Sequence, residues 1–546
     1  MKAHLLHRSR EVDWKWMLQA ALEREAMRTG RHYLLQKERV FDRQSGLPWN
    51  EGPLTADLGL ETVFGAMARE DDCVFEAARK VILAGTTGDL ETIRYRQGIL
   101  KDCLKLPDVI RDLYAVAVEA AAKRKGDYLG TLAQYPDYVL RHAVEQIETF
   151  VVYLRKLTDI ADRHGHEFAS EGWTDFFAML RRDLPDQYLA LARDHLNELK
   201  FHYGELISAE LGKANKGKRY VLHRVRNHRW AWWDWLAGFL EHRPPCYSFE
   251  LHPRDEAGAR ALGVLKSRGV AIAANALGQA ADHVRDFFLM LRVELAFYIG
   301  CINLHEQLTR KGEPICVPEL APPEERRFSF RGLYDVGLTL GLDQRVVGND
   351  AEGDGRDLVI ITGPNTGGKS TFLRSLGLAQ LMMQCGMFVP AEAFRASLCD
   401  GLFTHFKREE DARMESGKFD EELSRMSDIV DHVSTSSMIL FNESFAATNE
   451  REGSEIARQI MSALLEKGVR ICCVTHMYEL AQGFYESGRA RALFLRAQRR
   501  ADGTRTFKLA PGEPLRTSFG DDLYRSIFLA DMADPQLAET KECIRA

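Results

Sequence analysis

The apolar run Leu358-Val359-Ile360-Ile361 leads into Gly363-Pro364-Asn365-Thr366-Gly367-Gly368-Lys369-Ser370-Thr371, and a stretch with helical character follows. Four consecutive apolar residues before such a loop predict a strand buried on both faces, and hence a largely parallel sheet covered by helices. Glycines at 363, 367 and 368 let backbone N–H groups close around a bulky anion at a helix start. Every position of the phosphate-loop pattern is filled in the right setting, which predicts a nucleoside triphosphate site over Gly363–Thr371. Lys369 would meet the outer phosphates as a point charge, and the Ser370 hydroxyl would ligate Mg²⁺.

A chain of 546 residues exceeds one ordinary core and suggests about three or four domains, fewer if one is an elongated helical array. Hydrophobic residues at 45% and charged residues at 28% describe a globular protein. No uncharged apolar run approaches the ~20 residues that span a bilayer. The opening Met1-Lys2-Ala3-His4, with Arg8, Arg10, Glu11 and Asp13 close behind, lacks a signal-peptide core, so a cytoplasmic protein with no membrane partner is expected. The ten cysteines show no Cys-x-x-Cys spacing, which predicts neither a metal site nor a disulfide framework. A net charge of −6 excludes a globally basic nucleic-acid binder, so any polyanion site must be local.

Residues 1 to about 345 read as mostly helical, with segments at Leu58 to Leu83, Asp89 to Lys125, Tyr138 to Arg163 and Ala281 to Leu308. From about 325 onward short apolar runs alternate with helical stretches. Leu358–Ile361, Met438–Phe441 and Arg470–Val474 are candidate buried strands, and Ala492–Ala497 with Thr504–Leu509 suits a hairpin on the sheet edge. The Pro318–Pro323 stretch marks the linker. The expected division is a helical extension over 1–55, a helical domain over 56–324 with or without a reduced clamp, and an α/β domain over 325–546.

Two further strand ends carry chemistry. Met438–Phe441 runs into Asn442-Glu443, where phosphate-loop ATPases usually carry Asp-Glu; Asn442 can hydrogen-bond the metal shell without contributing charge, and Glu443 remains as general base. Val474-Thr475-His476 ends the next strand, with His476 placed for the γ-phosphate or the attacking water rather than as a strand-end histidine satisfied by its surroundings. Slow hydrolysis follows from the missing charge.

With this set assembled, the second half resembles the MutS family of DNA mismatch-repair ATPases, which belong to the ABC-type phosphate-loop proteins. Gly386-Met387-Phe388-Val389-Pro390-Ala391, Leu402-Phe403-Thr404, Glu410-Asp411, Phe419 with Glu422-Leu423, Thr475-His476 and Ser518-Phe519-Gly520 follow the family's motifs in order. The resemblance implies an α/β ABC-type P-loop ATPase domain preceded by a mostly α-helical core and lever-like domain. It also implies ATP and Mg²⁺ as ligands, a homodimer in which each copy completes the other's site, and repair-protein partners. Ser416-Gly417-Lys418 would then meet a partner's γ-phosphate from the start of a helix with the apolar stripe Phe419, Leu423, Met426, Val430 and Val433, although an ordinary capped surface helix fits the same residues. Gly417 stands where the family has serine, and Ser444-Phe445-Ala446-Ala447 departs from the family's glycine-rich loop.

Asp89 to Gln97, with Leu100 and Pro107, looks like the family's core and lever region, while the residues before the α/β domain are too few for a full set of mismatch-repair domains. No Phe-x-Glu opens the chain, and Phe239-Leu240-Glu241 reads as coincidence, so mismatch reading is not expected. Lys213, Lys216, Lys218, Arg219, Arg224, Arg226 and Arg229 fall in a stretch without acidic residues, followed by Trp230, Trp232, Trp233 and Trp235. This is the local candidate for DNA, against the plain alternative of a packed helix end beside a solvated basic hairpin. Taken together, the sequence predicts a nucleotide-controlled DNA clamp of repair or recombination. The competing expectations are a nucleotide-gated scaffold with little turnover and a small-molecule kinase.

Overall fold

The computed structural model describes residues 2–8, 14–29, 47–87, 89–122, 135–202, 204–213, 216–224, 247–364, 367–408, 417–488, 491–500 and 504–514. The chain forms two compact units, one of Met1–Ala3, Asp108–Ala169 and Trp173–Arg292, the other of His4–Pro107, Ser170–Gly172 and Val293–Ala546. These units do not follow the expected divisions at 55 and 324. Packing between segments distant in sequence draws the units across those divisions.

The helices in chain order begin with α1 (Trp14–Thr29), α2 (Glu51–Leu58), α3 (Leu60–Ala68), α4 (Asp72–Leu83), α5 (Leu90–Lys105) and α6 (Pro107–Ala122). The expected continuous segments break where the backbone turns left-handed, at Gly59 and at Arg69-Glu70, and where Pro107 opens a new helix. Asp71 and Asp89 cap α4 and α5, each accepting N–H bonds from the first turn. Then follow α7 (Pro136–His164), α8 (Glu171–Asp183), α9 (Asp186–Glu198), the strands β1 (Leu206–Leu211) and β2 (Gly217–His223), and α10 (Glu256–Arg310).

In the first unit, Leu140, Val144 and Val151 of α7 pack with Leu196, Val270 and Ala274. Trp173, Phe176 and Phe177 of α8 form an aromatic cluster with Phe168. The antiparallel β1–β2 hairpin seats Ile207 against Gly269 of α10, where a Cβ would lie 2.3 Å from Ile207 Cδ1. This hairpin interrupts the helical stretch expected up to 345. Helix α10 is longer than its expected Ala281–Leu308, and by length and composition it could cross a membrane; its apolar window of mean hydropathy 1.7 is 94% buried inside the protein, as a core helix would be.

Among its described residues the second unit contains two sheets. A four-stranded sheet, absent from the sequence expectation, has the order β3-β7-β4-β5, from β3 (Glu319–Ala321), β4 (Phe328–Leu333), β5 (Asn349–Glu352) and β7 (Ala393–Ser397). The six-stranded sheet has the order β12-β11-β6-β10-β9-β8, from β6 (Leu358–Thr362), β8 (Leu402–Phe406), β9 (Met438–Asn442), β10 (Arg470–Val474), β11 (Ala492–Arg499) and β12 (Arg505–Pro511). Five strands are parallel and β12 pairs antiparallel at the edge, the expected hairpin. Among the described residues, five helices accompany these strands: α11 (Val336–Gly341), α12 (Lys369–Gln384), α13 (Lys418–His432), α14 (Glu450–Glu466) and α15 (Tyr478–Ser487).

Buried residues of α13, α14 and α15 close over Leu358, Ile360, Ile439, Phe441, Ile471 and Cys473. On α13 the buried face runs through Met426, Ile429 and Val433, with Phe419 and Leu423 partly buried against the core, whereas Val430 is 45% exposed. The expected stripe is thus corrected at one position, Ile429 replacing Val430. The early helices reach the sheet at Gly377 of α12, where a Cβ would lie 2.7 Å from both Leu58 of α2 and Leu440 of β9. Asn50 Nδ2 also donates to Leu402 O at 2.8 Å, so residues before the expected boundary at 55 belong to the core of this unit.

Candidate functional site

Register brings three carboxyl strand ends level. Val474 of β10 pairs with Ile361 of β6 on one side and with Asn442 of β9 on the other. The loop from Gly363, the pair Asn442-Glu443 and the dipeptide Thr475-His476 therefore leave the sheet side by side. Thr475 N–H donates to Ile361 O at 3.2 Å and Glu443 N–H to Val474 O at 2.9 Å, which ties the ends together.

The loop needs its glycines. Gly363 and Gly368 have φ of 124° and 85°, and a Cβ at Gly363 would meet Ala497 at 3.0 Å. Gly368 is the N-cap of α12, whose first residues are Lys369, Ser370 and Thr371. The Lys369 ammonium is buried and donates to Gly363 O and Pro364 O, both at 2.9 Å. Burial lowers its pKa from the ordinary lysine value, and nearby Glu443 opposes that shift. Asn365 and Thr366 lie outside the described residues.

Ser370 Oγ donates to Asn442 Oδ1 at 2.9 Å, joining the two residues expected at the metal. Among the described residues no group of three His, Cys, Asp or Glu side chains could hold a metal ion. Two neutral oxygens beside a phosphate loop fit Mg²⁺, which ordinarily takes one or two protein ligands and completes its shell with phosphates and water. Glu443 follows in the left-handed region at φ 54°, as does Phe445 at 61°. His476 stands at the end of β10 and is exposed.

A cavity of about 810 Å³ opens beside the loop. Gly367, Gly368, Lys369, Ser370, Thr371 and Glu443 line one side of it, while His476, Gly417 and Lys418 do not line it. The other side is formed by Tyr334, Leu338, Arg345, Val346 and Phe507 among others, and sequence reasoning missed all of these. Glu313, itself buried, holds that wall by accepting from Val346 N–H at 2.9 Å and pairing with Arg345 Nε at 3.6 Å. Asp335 caps α11 through Leu338 N–H and pairs with Arg374 of α12 at 2.5 Å. The Tyr334 hydroxyl is buried with no hydrogen-bond partner among the described residues, and burial raises its pKa above the ordinary phenol value. Only the fold collects residues this far apart in sequence, so no local spacing signals them.

Gly417, the N-cap of α13, is exposed, and nothing lies within 4 Å of where its Cβ would be; Lys418 is half-buried. Ser416 lies outside the described residues, as do Glu410-Asp411, Ser518-Phe519-Gly520 and the tryptophan run from Trp230. In the first unit Lys213, Lys216, Lys218, Arg219 and Arg224 are exposed on or beside the hairpin. Lys218 and Arg219 reach Glu210 on the opposite strand at 3.6 and 3.2 Å, and Arg224 pairs with Glu198. The absence of acidic residues in the linear stretch is thus offset in space. Arg226 and Arg229 lie outside the described residues.

Two family models match the chain: the MutS2 N-terminal domain over residues 88–311 and MutS domain V over residues 359–529. The chain belongs to the MutS family. Its MutS domain V match covers the strand ends and the loop start described above. Similar MutS-family proteins include Endonuclease MutS2 of Lacticaseibacillus casei, 38% identical over 138 residues, or 25% of this chain and 18% of that protein. Endonuclease MutS2 of Geobacillus kaustophilus is 36% identical over 151 residues, covering 27% and 19%. DNA mismatch repair protein MutS of Myxococcus xanthus is 34% identical over 188 residues, covering 33% and 21%. The matches span about a fifth of the length of these curated relatives.

Proposed function

We propose that this MutS-family chain is a Mg²⁺-dependent ATPase that acts on DNA in repair or recombination. The observation that carries the reading is the level set of strand ends, with Lys369, Ser370 and Glu443 at one cavity and Asn442 bonded to Ser370 at its edge. ATP would lie along Gly363–Thr371, its phosphates held by loop N–H groups and Lys369 and its base toward Tyr334, Val346 and Phe507. Lys369, now bonded to two loop carbonyls, exchanges them for phosphate oxygens. Mg²⁺, held by Ser370 and Asn442, supplies charge neutralisation. Glu443 accepts the proton of the attacking water, with His476 beside it as the γ-phosphate contact.

The helix start at exposed Gly417 and half-buried Lys418, with Ser416 before it, is assigned to the phosphates of a second copy, so ATP binding would bring two chains together. The basic residues of the hairpin are the proposed DNA contacts, reading backbone and shape rather than sequence. A cytoplasmic setting and repair-protein partners belong to the same reading. The test is native mass of Glu443→Gln with and without ATP, together with wild-type turnover on linear, mispaired and branched DNAs. ATP-dependent dimers and a DNA-dependent rate support the reading; a monomer at saturating ATP and a rate indifferent to all DNAs refute it.

A second reading, a nucleotide-gated scaffold that barely hydrolyses ATP, is favoured by one observation: Asn442 brings no charge to the metal. Single-turnover hydrolysis separates the two.

A further inference from the structure

One buried imidazole stands between the start of α13 and the loop that carries Glu443. His405, in β8, is fully buried. Its Nε2 lies 2.9 Å from the backbone oxygen of Glu422, in the second turn of α13, and its Nδ1 lies 2.8 Å from Ser444 Oγ, the residue after Glu443. The ring stacks on Phe445 at 5.1 Å between centroids. Ser444 Oγ also donates to His405 O at 2.5 Å, so this hydroxyl meets both the ring and the backbone of His405. The two residues after Glu443 therefore meet α13 through this ring, Ser444 by its hydroxyl and Phe445 by stacking.

Counting protons makes the bridge exacting. A carbonyl only accepts, so Nε2 carries the hydrogen toward Glu422 O. Burial pushes His405 down to about 4, with Arg425 and Arg408 acting in the same direction, so the ring is neutral at pH 7 and Nδ1 is an acceptor. Ser444 has one proton for two acceptors, His405 Nδ1 and His405 O. Its choice depends on where the ring sits, and the ring sits where Glu422 O places it.

We propose that His405 is a positioning residue that couples the start of α13 to Glu443, so that engagement of Gly417 and Lys418 sets the general base. This rests on the proposed ATPase reading. A shift of α13 moves Glu422 O, the ring follows, and Ser444 transmits the movement to the neighbouring Glu443, whose left-handed backbone leaves few alternative placements.

Two substitutions divide the bridge. His405→Asn keeps an amide near Ser444 without the reach to Glu422 O, and His405→Gln keeps the reach to Glu422 O without the contact to Ser444. Ser444→Ala leaves the ring on α13 and tests the link if the His405 variants lose the fold. The measurements, on the full chain, are binding of a fluorescent ATP analogue and turnover at saturating ATP per folded molecule. In each variant analogue affinity and KM stay within about twofold of wild type while kcat falls about tenfold, because only transition-state placement is lost. Turnover within about twofold of wild type in all three, with wild type active, overturns the coupling. A wild-type protein that neither binds nor hydrolyses ATP overturns the ATPase reading beneath it.

Discussion

Asn442→Asp places a carboxylate where β9 now offers a neutral amide. The present contact, Ser370 Oγ to Asn442 Oδ1 at 2.9 Å, fixes the geometry, and the substitution keeps the accepting oxygen while adding a negative charge. A neutral hydrogen bond contributes about 0.5–1.5 kcal/mol and a charge-assisted one about 1.5–3, so the gain toward a bound cation is roughly 1.4 kcal/mol. That difference is about a decade in an equilibrium constant, so the Mg²⁺ concentration giving half-maximal ATPase rate falls about tenfold. Without the cation the sign reverses, since the new charge sits next to Glu443 and like charges disfavour the folded site. The variant should therefore melt below wild type in chelator and above it with Mg²⁺ and a non-hydrolysable ATP analogue. The assay is a Mg²⁺ titration of turnover with paired melting curves. Superimposed titrations would refute the assignment of Asn442 to the metal.

Three other outcomes are expected. Gly417→Trp has open space around its Cβ and an ordinary φ of −62° but replaces a favoured N-cap, so stability falls by no more than about 1 kcal/mol, while native mass and turnover assays show loss of the ATP-dependent dimer. His405 is neutral in the fold down to about 4 while the unfolded chain takes a proton from 6.5 downward, so stability is full above that upper value and falls with pH across the window. The loss is on the order of 3 kcal/mol, and denaturant titrations of His405→Asn across the same pH range should lack it. Reversing Lys213 and Lys216 to Glu should lower the slope of log binding constant against log salt by about one for each phosphate no longer neutralised, measured by fluorescence anisotropy on duplex DNA. An unchanged slope would remove these lysines from the interface.

What could be read from residues alone was what local pattern encodes. Leu358–Ile361, Met438–Phe441 and Arg470–Val474 are buried on both faces and form adjacent strands of one sheet, because an uninterrupted apolar run has no solvated side. The chain break after Ala68 has no local signal, because Arg69 and Glu70 adopt left-handed backbones without a glycine, whereas the break after Leu58 falls at Gly59. Val430 and Ile429 are adjacent in sequence, and only the tilt of α13 on the sheet decides which turns inward. The cavity wall at Tyr334, Val346 and Phe507, like the His405 bridge to Ser444, joins segments with no fixed spacing. Both become visible only once strand order is known.

The backbone at Glu443 occupies a region that side chains with a Cβ disfavour, at a cost on the order of 1 kcal/mol. Glycine would sit there without penalty. The fold therefore spends stability at this position to aim one carboxylate from the end of β9. By the same reasoning Glu443→Gly should yield a hardier molecule with no hydrolytic turnover, separating durability from chemistry at one position.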